Sequence, residues 1–464
     1  MSSVFPTSGS TLCVSAFELY RISLSILNYT TLIGILQDSV LDWAEEASQM
    51  ANIFSNAYLT ISASAAENGQ QGLLNRRHTI RRLDTVQNDK AFVICVRDER
   101  RHEFDGWDYS LVSSSDLPLR KRAWCLQEEL LSTRTIHFTE DEIVFVCQEA
   151  TTCECSPRWR PRHTIPPIVG TSSAAPYEIW ETIVQHYTGR QISFCKDRLP
   201  ALSSLTNYFE EHSDRYHAGL WESHLPGSLL WWSQRGHRPE SEHYSGSMPP
   251  SWSWASIEGR VRHPASYFRK EDVAEVLDVR TDPSSVDPRG LVSGGHITLR
   301  APLFPLKGTC YDGPNAWQDF LVYHSGDQSF DSCVTCSPDW QPKAEWSGDN
   351  DCYCALDDPN NPRLLLPNRI IDAPISLLII RTIYDPDPPD PTHAVVSIPY
   401  SEGYQFLGLV LKPLEHLDQI QAKVMEKSES KPSFLRIGFG MMHLSEEDGE
   451  EALRRFGNTT VTIF

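Results

Sequence analysis

The sequence is short of basic charge. Its 41 lysines and arginines face 61 acids, a net charge of −20, and such a surface repels phosphate backbones and anionic lipid. Neither nucleic acid nor a membrane surface is therefore expected as a partner. Long apolar runs are also lacking: none reaches the roughly 18–20 residues that a membrane span needs. No basic segment precedes the apolar N-terminal stretch, which Glu18 and Arg21 interrupt, so no signal peptide is expected. Glycine and proline, 25 and 31 of 464 residues, are too few for a fibrous or disordered chain. There is no Gly-x-Ser-x-Gly elbow, no Walker loop and no His-Glu-x-x-His helix. Gly438-Phe-Gly440 is a lone glycine pair on a strand pattern, and no internal repeat is visible.

What remains is a globular chain, 40% hydrophobic and 10% aromatic, with enough residues for two or three domains at roughly 100–200 each. The default location is the cytoplasm or the nucleus, where the twelve cysteines are reduced thiols and the sequons at Asn28 and Asn458 are idle. Cys333-x-x-Cys336 followed by Cys352-x-Cys354 approaches zinc-ribbon spacing. The second pair has one intervening residue where a zinc knuckle usually has two, which hampers tetrahedral closure. Cys147, Cys153 and Cys155 have no obvious fourth ligand. No metal is expected at either group.

The charge is unevenly placed. Residues 1–75 carry one arginine against six acids, residues 76–162 carry fifteen of each sign, and residues 163–464 carry 25 basic against 40 acidic side chains. The neutral middle holds the basic clusters, among them Arg120-Lys121-Arg122. Clusters of this kind are usually a solvated face; the sharper alternative is an anion site inside an acidic protein.

Val40, Trp43/Ala44, Ala47, Met50/Ala51 and Phe54 recur at helical spacing from Ser39, and Ala57–Ala65 suits a buried strand or a short apolar helix. Pro118 opens a second helix, with Trp124, Gln127/Glu128 and Leu131 on one face and Glu129 pointing elsewhere. Thr135–Phe138 and Ile143–Cys147 read as strands around a polar turn. Pro157–Pro167 looks like a linker. Helical patterns resume at Tyr177–Tyr187, Leu199–Phe209 and Tyr216–Trp232. From Ser251 onward the runs are strand-like: 251–257, 297–303, 320–324, 376–384, 393–399, 405–411, 434–441 and 459–464. Trp252 and Trp254, two apart on such a strand, share one face and read as core aromatic packing.

Several blocks, in order, resemble the fungal heterokaryon-incompatibility (HET) domain family. They are Gln37-Asp38, Asp42-Trp43-Ala44-Glu45-Glu46-Ala47, Ile53–Ala63, and Arg122-Ala-Trp124-Cys-Leu-Gln127-Glu128 running on to Ser132, Arg134 and His137-Phe138. Tyr187-x-x-Arg190, Lys196–Leu202, Ala218–Trp221 and Pro250–Ser256 resemble the region after that domain. The family's opening strand has no counterpart, and residues 1–33 resemble nothing in it. The expectation is an N-terminally incomplete HET domain, through a gene model wrong at its 5′ end or through degeneration of the member.

The HET domain is itself distantly similar to TIR domains. Trp124-Cys125-Leu126-Gln127-Glu128 looks like the TIR Trp-Cys-x-x-Glu helix, whose glutamate is catalytic in members that cleave NAD⁺. The resemblance implies Glu128 as the catalytic residue, with Trp124, Arg122 and Arg134 as ligand-binding neighbours. A carboxylate suits glycosidic cleavage, because it can stabilise an oxocarbenium-like centre or hold ribose hydroxyls. NAD⁺ enters here as a substrate, and no resident cofactor is expected. A Cys125/His137 nucleophilic pair would span a helix–strand junction with no orienting third group, so His137 reads as packing.

The fold class is α+β. Residues 1–34 are unassigned, 35–156 form a partial α/β HET (TIR-like) domain, 157–245 a helical connection and 246–464 a β-rich C-terminal domain. The resemblance implies non-self recognition and programmed cell-death signalling through protein partners. The alternatives are an NAD⁺ glycohydrolase using Glu128, or an inactive relic of the family.

Overall fold

Short alternating runs near the N-terminus pair into one sheet, and the long strand-like runs of the C-terminal half pair into another. In the computed structural model these belong to two separate units, residues 1–193 with 200–212, and residues 194–199 with 213–464. The structure describes residues 11–14, 50–68, 71, 73, 81–87, 90–96, 117–140, 142–154, 156–161, 176–209, 214–237, 239, 248–263, 270–285, 287–310, 321–325, 333–338, 369–385, 403–414, 432–444 and 446–464.

In the first unit, β1 (Thr11–Val14) and β2 (Leu59–Ser62) pair antiparallel. β3 (Arg81–Gln87) and β4 (Lys90–Val96) form a hairpin of their own. β5 (Arg134–Phe138) lies parallel to β2, with Thr60 beside Thr135 and Ser62 beside His137. β6 (Ile143–Cys147), β7 (Ala150–Cys153) and β8 (Ser156–Pro161) continue the sheet antiparallel. Parallel neighbours require a crossover, and the helix that precedes β5 lies within it. The helical residues are 50–56 (α1), Trp124–Leu131 (α2), Pro176–Thr188 (α3) and Pro200–Thr206 (α4). β8 corrects the expected linker at Pro157–Pro167: its prolines sit on the last strand of the sheet, where a missing N–H is tolerated. Residues 162–167 fall outside the described residues, as do 39–49 of the helix expected from Ser39.

After the 3-10 turn Cys195–Arg198, the second unit continues with β9 (Tyr216–His217) and β10 (Leu220–Trp221), a hairpin turning on Ala218 and Gly219 at φ 45° and 101°. These left-handed residues, followed by 3-10 turns at Glu222–His224 and Gly227–Leu230, replace the helix expected across Tyr216–Trp232. β11 (Trp232–His237) pairs with β12 (Glu258–Arg262). Between them Trp254–Ser256 is a 3-10 turn and not the expected strand, because the Ser253 hydroxyl accepts from the Ala255 N–H and caps it.

β13 (Lys270–Asp272), β14 (Glu275–Pro283), β15 (Val292–Cys310), β16 (Leu321–Ser325), β17 (Cys333–Pro338), β18 (Arg369–Asp385), β19 (Gly403–Pro413) and β20 (Ser433–Leu444) follow. β15 pairs with β16 and also with β18, so the path β15–β18–β19–β20–β17–β16 closes on itself as a barrel. Leu377–Ile380 and Phe406–Leu411 are buried without alternation, as strands covered on both faces are. α5 (Glu446–Arg455) leads into β21 (Asn458–Ile463), which joins β15 and β20. The expected run at 393–399 lies outside the described residues. The mixed α/β character and the β-rich C-terminal half are as the sequence indicates.

The tryptophans hold the second unit's core. Trp231, Trp252 and Trp254 are all fully buried. Trp231 donates through Nε1 to the Trp252 carbonyl at 3.0 Å, and Trp254 to that of Gly219 at 2.9 Å. The Arg436 guanidinium lies 3.4 Å from the centre of the Trp231 ring and donates to the carbonyls of Leu229 and Trp231.

A charged cavity beside the first-unit sheet

On β2 and β5 the alternation runs against the usual sense. Thr60, Ser62, Thr135 and His137 are buried, while Leu59, Ile61 and Ile136 are only half-buried. A buried polar face costs free energy unless its groups are paired. Here they are. Ser64, just past β2, hydrogen-bonds the Ser62 hydroxyl at 2.9 Å and the His137 Nδ1 at 2.9 Å. Ser132 donates its hydroxyl proton to the Glu128 carbonyl at 2.6 Å. A serine has one proton to give, so Thr60 is the donor in its 2.8 Å contact with Ser132.

α2 supplies the charges. Glu129 is held by two arginines from different segments: Arg120 Nη2 lies 2.6 Å from its Oε1 and Arg190 Nη2 lies 3.2 Å from its Oε2. Arg120 comes from the 3-10 turn Pro118–Lys121 that leads into α2. Arg190 follows α3 and is brought alongside by main-chain bonds, Gln191 N–H to the Lys121 carbonyl at 2.6 Å and Ala123 N–H to the Gln191 carbonyl at 2.8 Å. Burial alone would push the Glu129 carboxyl up; Arg120, Arg190 and His137 together outweigh it and hold the group well below the usual carboxylate range. For Arg190, burial and then the charge of Arg120 act to lower its pKa, against the pull of Glu129.

These residues enclose one cavity, lined by Thr60, Ser62, Ser64, Leu119, Arg120, Cys125, Glu128, Glu129, Thr135, His137 and Arg190, with ≈ 320 Å³ of space counting its open mouth. The enclosed part of that space is small, ≈ 20 Å³, enough for about one water. Donors and acceptors converge there: two guanidiniums, two carboxylates, four hydroxyls and an imidazole.

Of the residues singled out from sequence, Glu128 lines this cavity. Trp124 and Arg122 are half-buried and Arg134 is exposed; none of the three is part of the lining. Arg134 instead stands 5.3 Å above the Tyr58 ring. Cys125 and His137 both line the cavity. Burial, then the charge of Glu128, pushes the Cys125 thiol well above its usual value, which removes the thiolate a nucleophile needs.

Sequence reasoning passed over Glu129 and Arg190. Consecutive residues on a helix diverge by about 100°, so a helical wheel separates Glu128 from Glu129, yet both line the cavity. Arg190 was visible only as the end of Tyr187-x-x-Arg190, because its neighbour is set by the Gln191 main chain. Among the described residues no group of three or more His, Cys, Asp or Glu could hold a metal ion. Cys333 and Cys336 lie on β17, and Cys352, Cys354 and Cys155 fall outside the described residues. No helix among the described residues is long and apolar enough to cross a membrane.

Residues 32–128 match the family model described as Heterokaryon incompatibility protein (HET). A search of curated proteins and a search of solved structures each gave no match. Seven of the eleven lining residues, from Thr60 to Glu128, fall inside the matched segment.

Proposed function

From a chain that carries a HET domain we infer a protein of non-self recognition, whose output is a growth-arrest or cell-death signal and whose inputs are protein contacts. The observation that carries this reading is the coincidence of the matched segment with the cavity. β2, the 3-10 turn and most of α2 belong to the match, and together they line a polar, charged space that includes Glu128. The C-terminal unit, where acids predominate, supplies the partner-facing surface in this reading.

The test is expression in a filamentous fungal host at verified abundance. Wild-type protein should arrest growth; arrest that persists in Glu128→Ala sinks the enzyme reading given next and leaves this one standing. Normal growth with abundant wild-type protein overturns the reading and leaves an inactive relic.

The presence of Glu128 in the cavity favours a second reading, a TIR-like NAD⁺ glycohydrolase. In that reaction the bond from the ribose carbon to the nicotinamide nitrogen breaks and a water oxygen takes its place. Glu128 would stabilise the oxocarbenium-like centre or hold the ribose hydroxyls. Purified wild-type protein should turn over NAD⁺, and Glu128→Ala should fall by at least about 100-fold, the lower end of what one positioned acid–base group contributes. Equal rates would sink this reading while leaving the signalling one intact.

A further inference from the structure

Away from the cavity, the first unit carries a hairpin of unusual exposure. β3 and β4 form a two-stranded sheet that no other strand joins among the described residues. A lone hairpin is marginal in water, and three or more strands or a packed face are what give stability. Here apolar side chains are exposed on both faces. Val86 and Val93 stand on one side of the ribbon and Leu83 on the other, as alternation and register require, and all three are more than half exposed.

An open strand edge is a template for another chain, and folds blunt such edges with charges, prolines and bulges. β14, an end strand of its sheet, has all three. It carries Asp278, Arg280, Asp282 and Pro283, and its register breaks at Val276/Asp278 and Thr281/Pro283. β3 carries Arg81, Arg82 and Asp84. β4 has only Lys90 at its start. Ala91–Val96 is without charge, proline or glycine, and its register against β3 runs unbroken.

The sequence of β4 also suits one occupant, itself. Two copies laid antiparallel about Val93 set Phe92 opposite Ile94, an aromatic and β-branched pair of the favourable kind, and Ala91 opposite Cys95. The single charge, Lys90, falls opposite Val96 and never meets its own copy. The same arrangement through β3, centred on Asp84, would set two aspartates face to face. Net charge points the same way. At −20 the chain repels copies of itself, but residues 76–162 carry fifteen charges of each sign, and the hairpin within them has three basic side chains against one acid.

We propose that β4 pairs antiparallel with β4 of a second copy, giving a continuous four-stranded sheet in the order β3–β4–β4–β3 across a two-fold axis. Such an interface uses the same edge of both copies and closes on itself. A seven-residue strand edge is a small contact, so the dimer forms and dissociates with concentration. The inference does not depend on what the cavity binds.

The experiment is sedimentation of the purified full-length protein over a range of concentrations, with amide hydrogen exchange read on β4. The mass should rise from 52.6 kDa toward twice that value, and the amides of Ala91–Val96 should exchange more slowly as it does. Val93→Lys sets two lysines opposite each other at the two-fold axis and should raise the dissociation constant at least about tenfold. Val86→Lys, also at an exposed site but on β3, should leave the dimer unchanged. A chain that stays monomeric at every concentration overturns the proposal. So does a dimer that forms without slower exchange in β4, or one that Val93→Lys weakens no more than Val86→Lys does.

Discussion

At the scale of single residues, the two carboxylates of α2 have different work. Glu129 neutralises Arg120 and Arg190, and its removal leaves two guanidiniums close together without their counter-charge. Glu129→Gln should therefore cost about 3–5 kcal/mol, the range for breaking a buried pair from one side, read as a fall in the urea midpoint. Glu128→Gln, which leaves those ion pairs intact, should keep its midpoint close to that of wild type.

The second unit carries a residue-scale switch in stability. Burial, with the Arg436 guanidinium beside it, pushes His263 down to about 3, whereas a histidine in the unfolded chain titrates near 6.5 (about the ordinary value). Between those values the unfolded chain binds the extra proton. Stability is thus complete above about pH 6.5 and drains away as the pH falls toward 3. The urea midpoint should drop between pH 7 and pH 5, and His263→Gln should flatten that slope. Glu129 acts in the same direction but lower. Its carboxyl is depressed in the fold, so its contribution is lost only as the pH falls below the ordinary carboxylate value of about 4.3.

At the scale of elements, legibility followed periodicity. β5, β6, α3 and α4 were readable because alternation and 3.6-residue spacing are local signals. The barrel strands β15, β18, β19 and β20 were readable as strands, but their closure was not, since it depends on β15 pairing with both β16 and β18. The turn at Trp254–Ser256 was read as a strand, because its deciding contacts, the Ser253 cap and the bond to the Ala218 carbonyl, are not periodic. His137, read as packing, is buried on β5; the polar character of the face it shares with β2 was not legible, because the Ser64–His137 bond joins residues far apart in the chain.

The β9–β10 turn gives the sharpest test at this scale. Gly219 has φ 101°, and a Cβ there would lie 2.4 Å from Trp254 Nε1. Gly219→Ala combines backbone strain with overpacking and should cost roughly 2–4 kcal/mol, measured as a lower melting temperature. Trp254→Ala removes a fully buried indole and should cost about 3–5 kcal/mol.

At the scale of the whole molecule, the units are not consecutive segments. The chain leaves the first unit after residue 193, gives residues 194–199 to the second, and returns to the first for 200–212. α4, buried along its whole length, arrives only on that return. A fragment ending at residue 193 should fail to fold, and one ending at 212 should recover solubility and helical circular dichroism.

That interleaving bears on inheritance. A gene acquires new recognition surfaces most easily when one crossover can trade a complete module for another. Here a single breakpoint at any position between 194 and 212 hands over a first unit without its last helix, or a second unit without residues 194–199. The sequence of this protein can drift, but its two halves are expected to travel together.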